Sequence, residues 1–131
     1  MAFEKEWKIY AGDTDYSGRI YTPVVVDYLI KTLQDFRASI GFPNERFESG
    51  EYIPPARNID INYLSAIRTG DRVGITIDPT VGTTSITYDV VGEVDGKAVF
   101  DGTTTTVFID KGSQEPIPVP EEFKRGVETA E

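Results

Sequence analysis

The spacing of apolar residues along this chain changes from alternation to a helical period and back to alternation. Phe3 to Tyr10 mixes aromatic, apolar and charged residues in near alternation, which predicts a half-buried first strand. Gly12 and Gly18 then bound a loop. From Val25 to Ile40 the apolar residues recur three and four positions apart, which predicts a helix with one broad apolar face.

The ends of this helix carry recognisable signals. Thr22 before Pro23 is a good start, because a threonine hydroxyl can cap free amides and a proline at the first helical position loses no needed hydrogen bond. Gly41 and Pro43 stop the helix. The predicted length of roughly 18 residues is long for so small a protein.

After the helix the period is two. Alternation over Ile59 to Tyr63, Val73 to Ile77 and Ile86 to Val90 predicts three strands with one buried face each. Asp95-Gly96 is a strong signal for a two-residue hairpin turn, and the strand that it starts, Ala98 to Ile109, is rich in threonine and β-branched residues. The predicted connections make these four strands antiparallel.

The order of elements predicts the fold class. The tail carries three prolines, Pro116, Pro118 and Pro120, and is predicted to be extended, with one helical turn at Glu121 to Arg125. One strand, one long helix and four strands give a single α+β domain over residues 1–131, with a five-stranded antiparallel sheet against the helix. Because the helix is apolar over more than half its circumference, either the sheet wraps around it or a second subunit covers it, and an oligomer is expected.

Composition narrows the chemistry. The 131 residues include no cysteine and no histidine, which excludes disulfides, thiolate chemistry and zinc sites of the Cys/His kind, and no metal site is predicted. No apolar run approaches the roughly 20 residues of a membrane span. The segment from Met1 to Tyr10 contains charged residues, whereas a signal peptide is apolar there. A soluble, cytoplasmic protein is expected.

The chain is strongly acidic. Its net charge of −9 opposes binding to nucleic acid or to an anionic membrane, because both rely on lysine and arginine contacts with phosphates. The acidity has two explanations. It keeps the protein soluble, or it is an adaptation to a salt-rich cytoplasm, where the screening length falls to about 3 Å at 1 M salt.

The segment "GDTDYSGRIYTP" carries two carboxylates one residue apart. In an extended segment Asp13 and Asp15 point to the same side, so their mutual repulsion is expected to raise the pKa of one of them, as a general base requires. The alternative for each is an ordinary loop aspartate that bonds nearby amides, and this alternative is favoured for Asp13.

Three segments carry a family resemblance: "YAGDTDYSGRIYTPVVVDYLIKTLQDFRASIGF", "DINYLSAIRTGDRVGI" and "PIPVPEEF". With them, nearly the whole chain resembles the hotdog-fold thioesterases of the 4-hydroxybenzoyl-CoA thioesterase and YbgC-like branch. The resemblance implies a curved antiparallel sheet wrapped around one central helix. It also implies a homodimer or homotetramer with active sites at the subunit interface, and substrates that are acyl groups held as thioesters on coenzyme A or a carrier protein.

The resemblance also implies roles for residues of the quoted segment. Asp15 matches the catalytic carboxylate, which acts as general base toward water or as nucleophile. Thr22 lies where the family presents a backbone amide to the thioester carbonyl; many YbgC-like members have histidine there, so only the backbone role carries over. Gly18 matches the glycine of a tight turn, and Tyr21 matches an aromatic residue beside the acyl chain.

Candidates for substrate binding are less specific. Tyr28 and Tyr63 are candidates to line an acyl pocket, although core packing explains a tyrosine equally well. Arg57 is a candidate for the coenzyme A phosphates, as are Arg68 and Lys97, and Thr84 offers a hydroxyl and an amide to a phosphate. Members of the family that the chain resembles contact phosphates with basic residues at the positions of Thr83, Thr84 and Glu115, and this chain departs from that pattern.

The predicted function is hydrolysis of an acyl-CoA or acyl-carrier thioester to free acid and thiol, with no cofactor other than the coenzyme A of the substrate. A non-catalytic hotdog protein that binds acyl thioesters or small apolar ligands is the alternative. A hydratase of the same fold is disfavoured, because such relatives rely on a histidine and this chain has none.

Overall fold

The structure, a computed structural model, describes residues 2–130, so the two end residues of the predicted 1–131 domain lie outside it. Seven strands form: β1 Phe3–Lys8, β2 Tyr52–Ile53, β3 Ala56–Tyr63, β4 Arg72–Val81, β5 Ser85–Val94, β6 Lys97–Val107 and β7 Ile109–Asp110. Three α-helices form: α1 Thr22–Ser39, α2 Asn44–Ser49 and α3 Glu121–Thr129.

Five of these strands make one antiparallel sheet in the order β1-β4-β5-β6-β3. The sheet and its single long helix confirm the predicted α+β class. Strand β4 runs four residues past Ile77, the last residue of its predicted alternation, and includes Pro79. The proline is tolerated because β1 pairs with β4 only from Arg72 to Ile77, so no strand residue within 2–130 pairs with Pro79 on that side.

Helix α1 packs its apolar stripe on one face of the sheet. Leu29, Leu33 and Phe36 are buried, and the Phe36 ring meets Tyr88 of β5 edge-on at 6.0 Å between centroids. Alternate residues of β4 and β5 face the helix and are buried, as their period of two predicted. Trp7 of β1 donates its indole N–H to the buried Thr32 hydroxyl at 2.9 Å, so this polar group of the helix is satisfied.

The ends of α1 differ in part from the prediction. The helix begins at Thr22, but Tyr21 is its cap residue and no side chain caps it, so the expected threonine cap is wrong and Pro23 stands at the second helical position. Gly41 ends the helix as predicted. Its φ of +93° places Phe42 so that the Phe42 N–H donates to the Arg37 carbonyl at 2.8 Å.

The structure adds elements that the periodicity did not predict. These are helix α2, the short β2–β7 ladder and a helix α3 that is longer than predicted. All three pack into one aromatic cluster, in which the rings of Phe42 and Phe108 each lie 5.0 Å from the ring of Phe123. The predicted last strand therefore ends at Val107, because the chain turns at Phe108 to join this cluster. No helix within residues 2–130 is long and apolar enough to cross a bilayer.

A glycine in β5 allows a close contact between neighbouring strands and gives a stability prediction. A Cβ on Gly92 would lie 2.1 Å from the Phe100 ring of β6, its register partner. We expect Gly92→Ala to lower the free energy of unfolding by about 1 to 3 kcal/mol through overpacking, measured by urea unfolding. Gly12→Ala is the matched control, because nothing lies within 4 Å of its Cβ, and it should change that free energy by less than about 0.5 kcal/mol.

Candidate active site

The segment between β1 and α1 folds as a small hairpin. Thr14 bridges Ile20, and the Asp15 N–H donates to the Arg19 carbonyl at 3.0 Å. The Gly18 N–H donates back to the Asp15 carbonyl at 3.1 Å, with Gly18 at a φ of +76°. A three-residue loop closed by a glycine in the left-handed region has this pattern, and it explains why the turn needs Gly18.

This hairpin is tied to the start of α1. Its second arm is held by hydrogen bonds from the Ile20 N–H to the Ile67 carbonyl at 2.7 Å and from the Tyr21 N–H to the Asp13 carbonyl at 2.8 Å. Thr22 follows Arg19 by three residues, so its Cα lies within about 10 Å of the Cα of Arg19. The hairpin therefore presents Asp15 beside the first turn of the helix.

The first amide of the helix is available to a ligand. The Thr22 N–H donates no hydrogen bond to any atom of residues 2–130, as expected for the first residue of a helix. The Tyr63 hydroxyl donates to the Thr22 carbonyl at 3.2 Å and so joins the helix start to the end of β3. A free N–H and the positive end of the helix dipole together favour an anionic oxygen at this position.

The Asp15 carboxylate is exposed and oriented by its own loop. Its Oδ1 accepts hydrogen bonds from the Ser17 hydroxyl at 2.6 Å and the Ser17 N–H at 2.8 Å. The hydroxyl, then the amide, and finally the nearby Arg19 charge lower the pKa of Asp15 below its ordinary value. Repulsion from Asp13 is not among these causes, so the expected rise of one pKa does not occur at Asp15, which is ionised at neutral pH.

Asp13 has a different environment from Asp15. Its Oδ2 accepts hydrogen bonds from the Tyr10 N–H at 2.9 Å and from the Tyr28 hydroxyl at 2.7 Å. These bonds hold the chain between β1 and the hairpin, which is the loop-shaping role favoured from the sequence. Burial and the Asp13 carboxylate raise the pKa of Tyr28 to about 12, so its hydroxyl stays protonated as the donor.

A groove of about 320 Å³ opens beside the helix start. It is lined by Arg19, Ile20, Thr22, Tyr63, Leu64, Ser65, Ala66 and Ile67. Of the predicted site residues, Thr22 and Tyr63 line the groove, while Asp15 and Gly18 lie on the adjoining hairpin. Tyr21 is 56% exposed at the helix cap, which leaves its ring free to contact a bound molecule.

Three predicted site residues lie elsewhere in the single chain. Tyr28 packs its ring against Trp7 at 5.3 Å and is not part of the groove. Arg57 stands at the opposite end of β3 from Tyr63, about 20 Å away at the rise of an extended strand. Thr84 lies in the turn between β4 and β5, at the far end of the sheet from the hairpin.

Sequence reasoning missed Ser17 and Arg19 as parts of the site. The signal for Ser17 is a short polar residue two positions after an aspartate inside a tight turn, where its amide and hydroxyl both reach the carboxylate. The backbones of Arg19 and Arg68 form an isolated antiparallel bridge, so two basic residues stand opposite each other where Arg19 lines the groove. No group of three or more acidic residues in the described part of the chain is placed to hold a metal ion.

Comparison with known proteins identifies relatives over nearly the full length. The family model described as the thioesterase-like superfamily matches residues 9–127. The chain is 25% identical over 126 residues to the 1,4-dihydroxy-2-naphthoyl-CoA hydrolase of Thermosynechococcus vestitus, a match that covers 93% of this chain and 86% of that protein. The resemblance inferred from the sequence motifs is thereby confirmed.

Solved structures match the fold closely. A 1,4-dihydroxy-2-naphthoyl-CoA thioesterase from Synechocystis superposes with a TM-score of 0.92 at 16% identity, over 99% of this chain and 98% of that chain. A gentisyl-coenzyme A thioesterase superposes with a TM-score of 0.86 at 16% identity, over 95% of this chain and 99% of that chain. At 16% identity these matches show the fold alone, and they confirm the predicted hotdog architecture.

The Ser17 contact gives a pH prediction. Because the Ser17 hydroxyl is the largest cause of the lowered pKa of Asp15, Ser17→Ala should move that pKa upward toward its ordinary value. The Ser17 N–H remains, so the shift is partial. Carboxyl-carbon NMR titration measures it, and Asp110 serves as an internal control, because its pKa is lowered by its own partner Ser113 and should not move. An unchanged Asp15 titration would contradict the assignment.

Proposed function

Because the chain belongs to the thioesterase-like superfamily, we propose that it hydrolyses acyl-CoA thioesters in the groove at the start of α1. Water and the thioester give a carboxylic acid and the free thiol of coenzyme A. The observation that carries the proposal is the pairing of an unbonded Thr22 N–H with an ionised carboxylate, Asp15, on the adjoining hairpin. The reaction needs two parts: a hydrogen-bond donor that stabilises the oxyanion, and a group that activates the attack on the thioester carbon.

The Thr22 N–H is proposed to stabilise the oxyanion. Attack on the thioester carbon moves negative charge onto the carbonyl oxygen, and a fixed N–H at a helix start stabilises that charge without reorganising. Removal of one such donor in other enzymes costs about 3 to 4 kcal/mol of transition-state stabilisation. The Tyr63 hydroxyl supports this donor indirectly, because its bond to the Thr22 carbonyl holds the first turn in place.

Asp15 is proposed to activate the attack, by one of two routes. As general base it takes a proton from water while the water oxygen bonds to the acyl carbon; the C–S bond then breaks and the proton passes to the thiolate. As nucleophile it bonds to the acyl carbon itself and releases the thiolate, and water then hydrolyses the mixed anhydride. Both routes begin from the ionised carboxylate, whose Oδ2 accepts no hydrogen bond within residues 2–130.

We propose that the groove holds an apolar acyl group and that the coenzyme A arm leaves the groove past Arg19 and Arg68. Tyr63, Leu64 and Ile67 supply apolar lining, and the relative at 25% identity is named for a hydroxylated aromatic acyl group, 1,4-dihydroxy-2-naphthoyl. We therefore propose an aromatic acyl-CoA as the substrate class. Arg19 lines the groove and Arg68 is its partner across the backbone bridge, and the two are proposed to meet a phosphate of coenzyme A.

The working form is proposed to be a dimer joined through β3. This strand lies at the sheet edge, and seven of its eight residues are exposed, including Ile59 at 38%. An exposed edge strand of this length offers unpaired backbone groups to a second copy. Antiparallel pairing of two β3 strands would place the Arg57 end of one chain beside the Tyr63 end of the other, which would bring Arg57 to the groove.

Substitution of the proposed catalytic carboxylate tests the function. We expect Asp15→Asn to lower kcat by roughly a hundred- to ten-thousandfold, because the amide neither accepts the proton nor attacks the carbonyl. Release of free thiol from a panel of aryl- and alkyl-CoA thioesters, at low and high salt, measures it. Asp27→Asn is the control, since Asp27 is exposed on α1 and ion-paired to Lys31 at 3.0 Å, and its kcat should stay near wild type.

The same panel separates hydrolysis from binding alone. A wild-type protein that binds acyl-CoA in calorimetry but releases no thiol under either salt condition would overturn the enzymatic proposal in favour of the non-catalytic binding protein. Turnover that is equal in wild type and Asp15→Asn would instead reject Asp15 as the activating group.

The edge strand gives a test of the proposed dimer. Ile59→Lys should produce a monomer in sedimentation velocity and lose most of its turnover, because a charge on the edge opposes pairing with a second copy. Val91→Lys is the matched control: Val91 is 37% exposed, nearly the same as Ile59, but lies on the central strand β5. The Val91→Lys protein should remain a dimer in sedimentation velocity and keep the turnover of wild type. A fully active Ile59→Lys monomer would contradict the interface.

A further inference from the structure

A second pocket lies at the other end of α1. It has a volume of about 380 Å³ and opens between the end of the helix, α2 and the segment that leads into β3. Its apolar walls come from Phe47, Ile53, Pro54 and Pro55, and Arg37 lines it from the helix. Arg37 lies fifteen positions after Thr22 in α1, about 22 Å along the helix axis. Because Thr22 lines the groove, the pocket and the groove are separate within one chain.

Arg37 is a buried cation without an ion-pair partner among the described residues. Its relative exposure is 8%, and neither Nε nor Nη1 donates a hydrogen bond to any atom of residues 2–130. No carboxylate of the described residues forms an ion pair with it. Burial lowers the pKa of the guanidinium, yet an arginine stays charged in proteins. A charge in this position is costly to fold around unless something neutralises it.

Two further polar groups behind Arg37 are also unsatisfied. The Tyr88 hydroxyl and the Thr106 hydroxyl are buried and make no hydrogen bond with the described part of the chain. The two hydroxyls and the guanidinium are neighbours, close enough for Tyr88 to offset part of the fall in the pKa of Arg37, although no pair of them forms a hydrogen bond. Tyr88 does not neutralise the cation, because burial raises the pKa of the phenol and keeps it protonated. Neither hydroxyl lines the pocket, so Arg37 is the group of this cluster that a ligand there can meet. Since buried charges in proteins are nearly always paired, the guanidinium is the feature of this pocket that calls for a ligand.

We infer that the Arg37 pocket binds an organic carboxylate. The carboxylate head accepts hydrogen bonds from Nη2, the guanidinium nitrogen that is neither sealed from solvent nor bonded within residues 2–130, and the apolar body of the acid lies against Phe47, Ile53 and the two prolines. One buried guanidinium balances one negative charge, so a monoanion leaves the site neutral whereas a phosphate dianion leaves an excess charge in an apolar pocket.

The charges at the rim do not change this assignment. Glu48 and Lys111 both line the pocket, and the Lys111 amine donates to the Glu48 carbonyl oxygen at 2.7 Å. Their opposite charges offset each other, and Glu48 is exposed to solvent, where screening weakens its effect on a bound anion. Arg37 is therefore the dominant charge that a ligand meets inside the pocket.

Thermal unfolding with benzoate as the probe tests the inference. Benzoate should raise the Tm of the wild-type protein, with a shift that grows with its concentration, because a ligand of the folded state stabilises it by mass action. Benzamide, the neutral isostere, and sodium chloride at equal ionic strength should give no such shift. Calorimetric titration of Arg37→Met should show benzoate affinity reduced by roughly ten- to a hundredfold.

Two variants and one spectroscopic measurement separate binding from a structural role. Arg37→Met keeps the side-chain length without the unpaired charge, so in the absence of ligand its Tm should be no lower than wild type. Arg125→Met, at an exposed position of α3, should keep the full benzoate shift. In wild-type protein, amide NMR signals of Phe47 and Ile53 should move with benzoate and not with benzamide, which needs no variant to fold.

The inference is overturned if benzoate leaves the wild-type Tm and these amide signals unchanged, or if Arg37→Met responds to benzoate as wild type does. It is also overturned if inorganic phosphate or coenzyme A displaces benzoate at lower concentration, since the pocket would then select a phosphate. None of these outcomes depends on thioester turnover, so the proposed function stands or fails separately.

Discussion

The packing of one face of α1 on the sheet determines where the other features of this protein lie. Leu29, Leu33 and Phe36 are fully buried there, and each side chain removed from water contributes about 1.5 to 3 kcal/mol. Because this stripe fixes both the axis and the rotation of the helix, it also fixes its two ends. The first amide meets the hairpin and the groove, and the last turn carries Arg37 into the second pocket. Both sites are consequences of one helix docking.

The dominant elements were predictable because their signals are periodic and local. A stripe at helical spacing and three alternating runs have one physical solution, in which apolar faces meet, and Gly41 marks the helix end by its left-handed φ. Helix α2 has no such signal: its six residues contain a single apolar side chain, Phe47, and it forms because that ring joins an aromatic cluster assembled from distant segments. The missing threonine cap has a similar cause, since tertiary hydrogen bonds of Tyr21 and Tyr63 hold the helix start instead.

The candidate site divides along the same line. Asp15, Gly18 and Thr22 are close in sequence, so one hairpin brings them together whatever the rest of the chain does. Arg57 and Thr84 were chosen for the chemistry of their side chains, and their distance from the hairpin depends on the lengths of β3 and β4, which composition does not reveal. Arg37 did leave a trace in the sequence. It stands four residues after Leu33, on the face of the helix that is otherwise apolar, and a charge at a core position calls for a partner.

The lowered pKa of Asp15 bears directly on how such a carboxylate serves in hydrolysis. In the free chain, bonds from Ser17 keep it ionised but weaken it as a base. A thioester held over the hairpin would exclude water from the carboxylate, and desolvation raises the proton affinity of a carboxylate. The Ser17 bonds oppose that rise only in part, while they keep the carboxylate aimed. On the proposed mechanism, the free enzyme therefore holds its activating group charged and oriented, and the bound substrate itself makes that group more basic at the moment a proton must be taken.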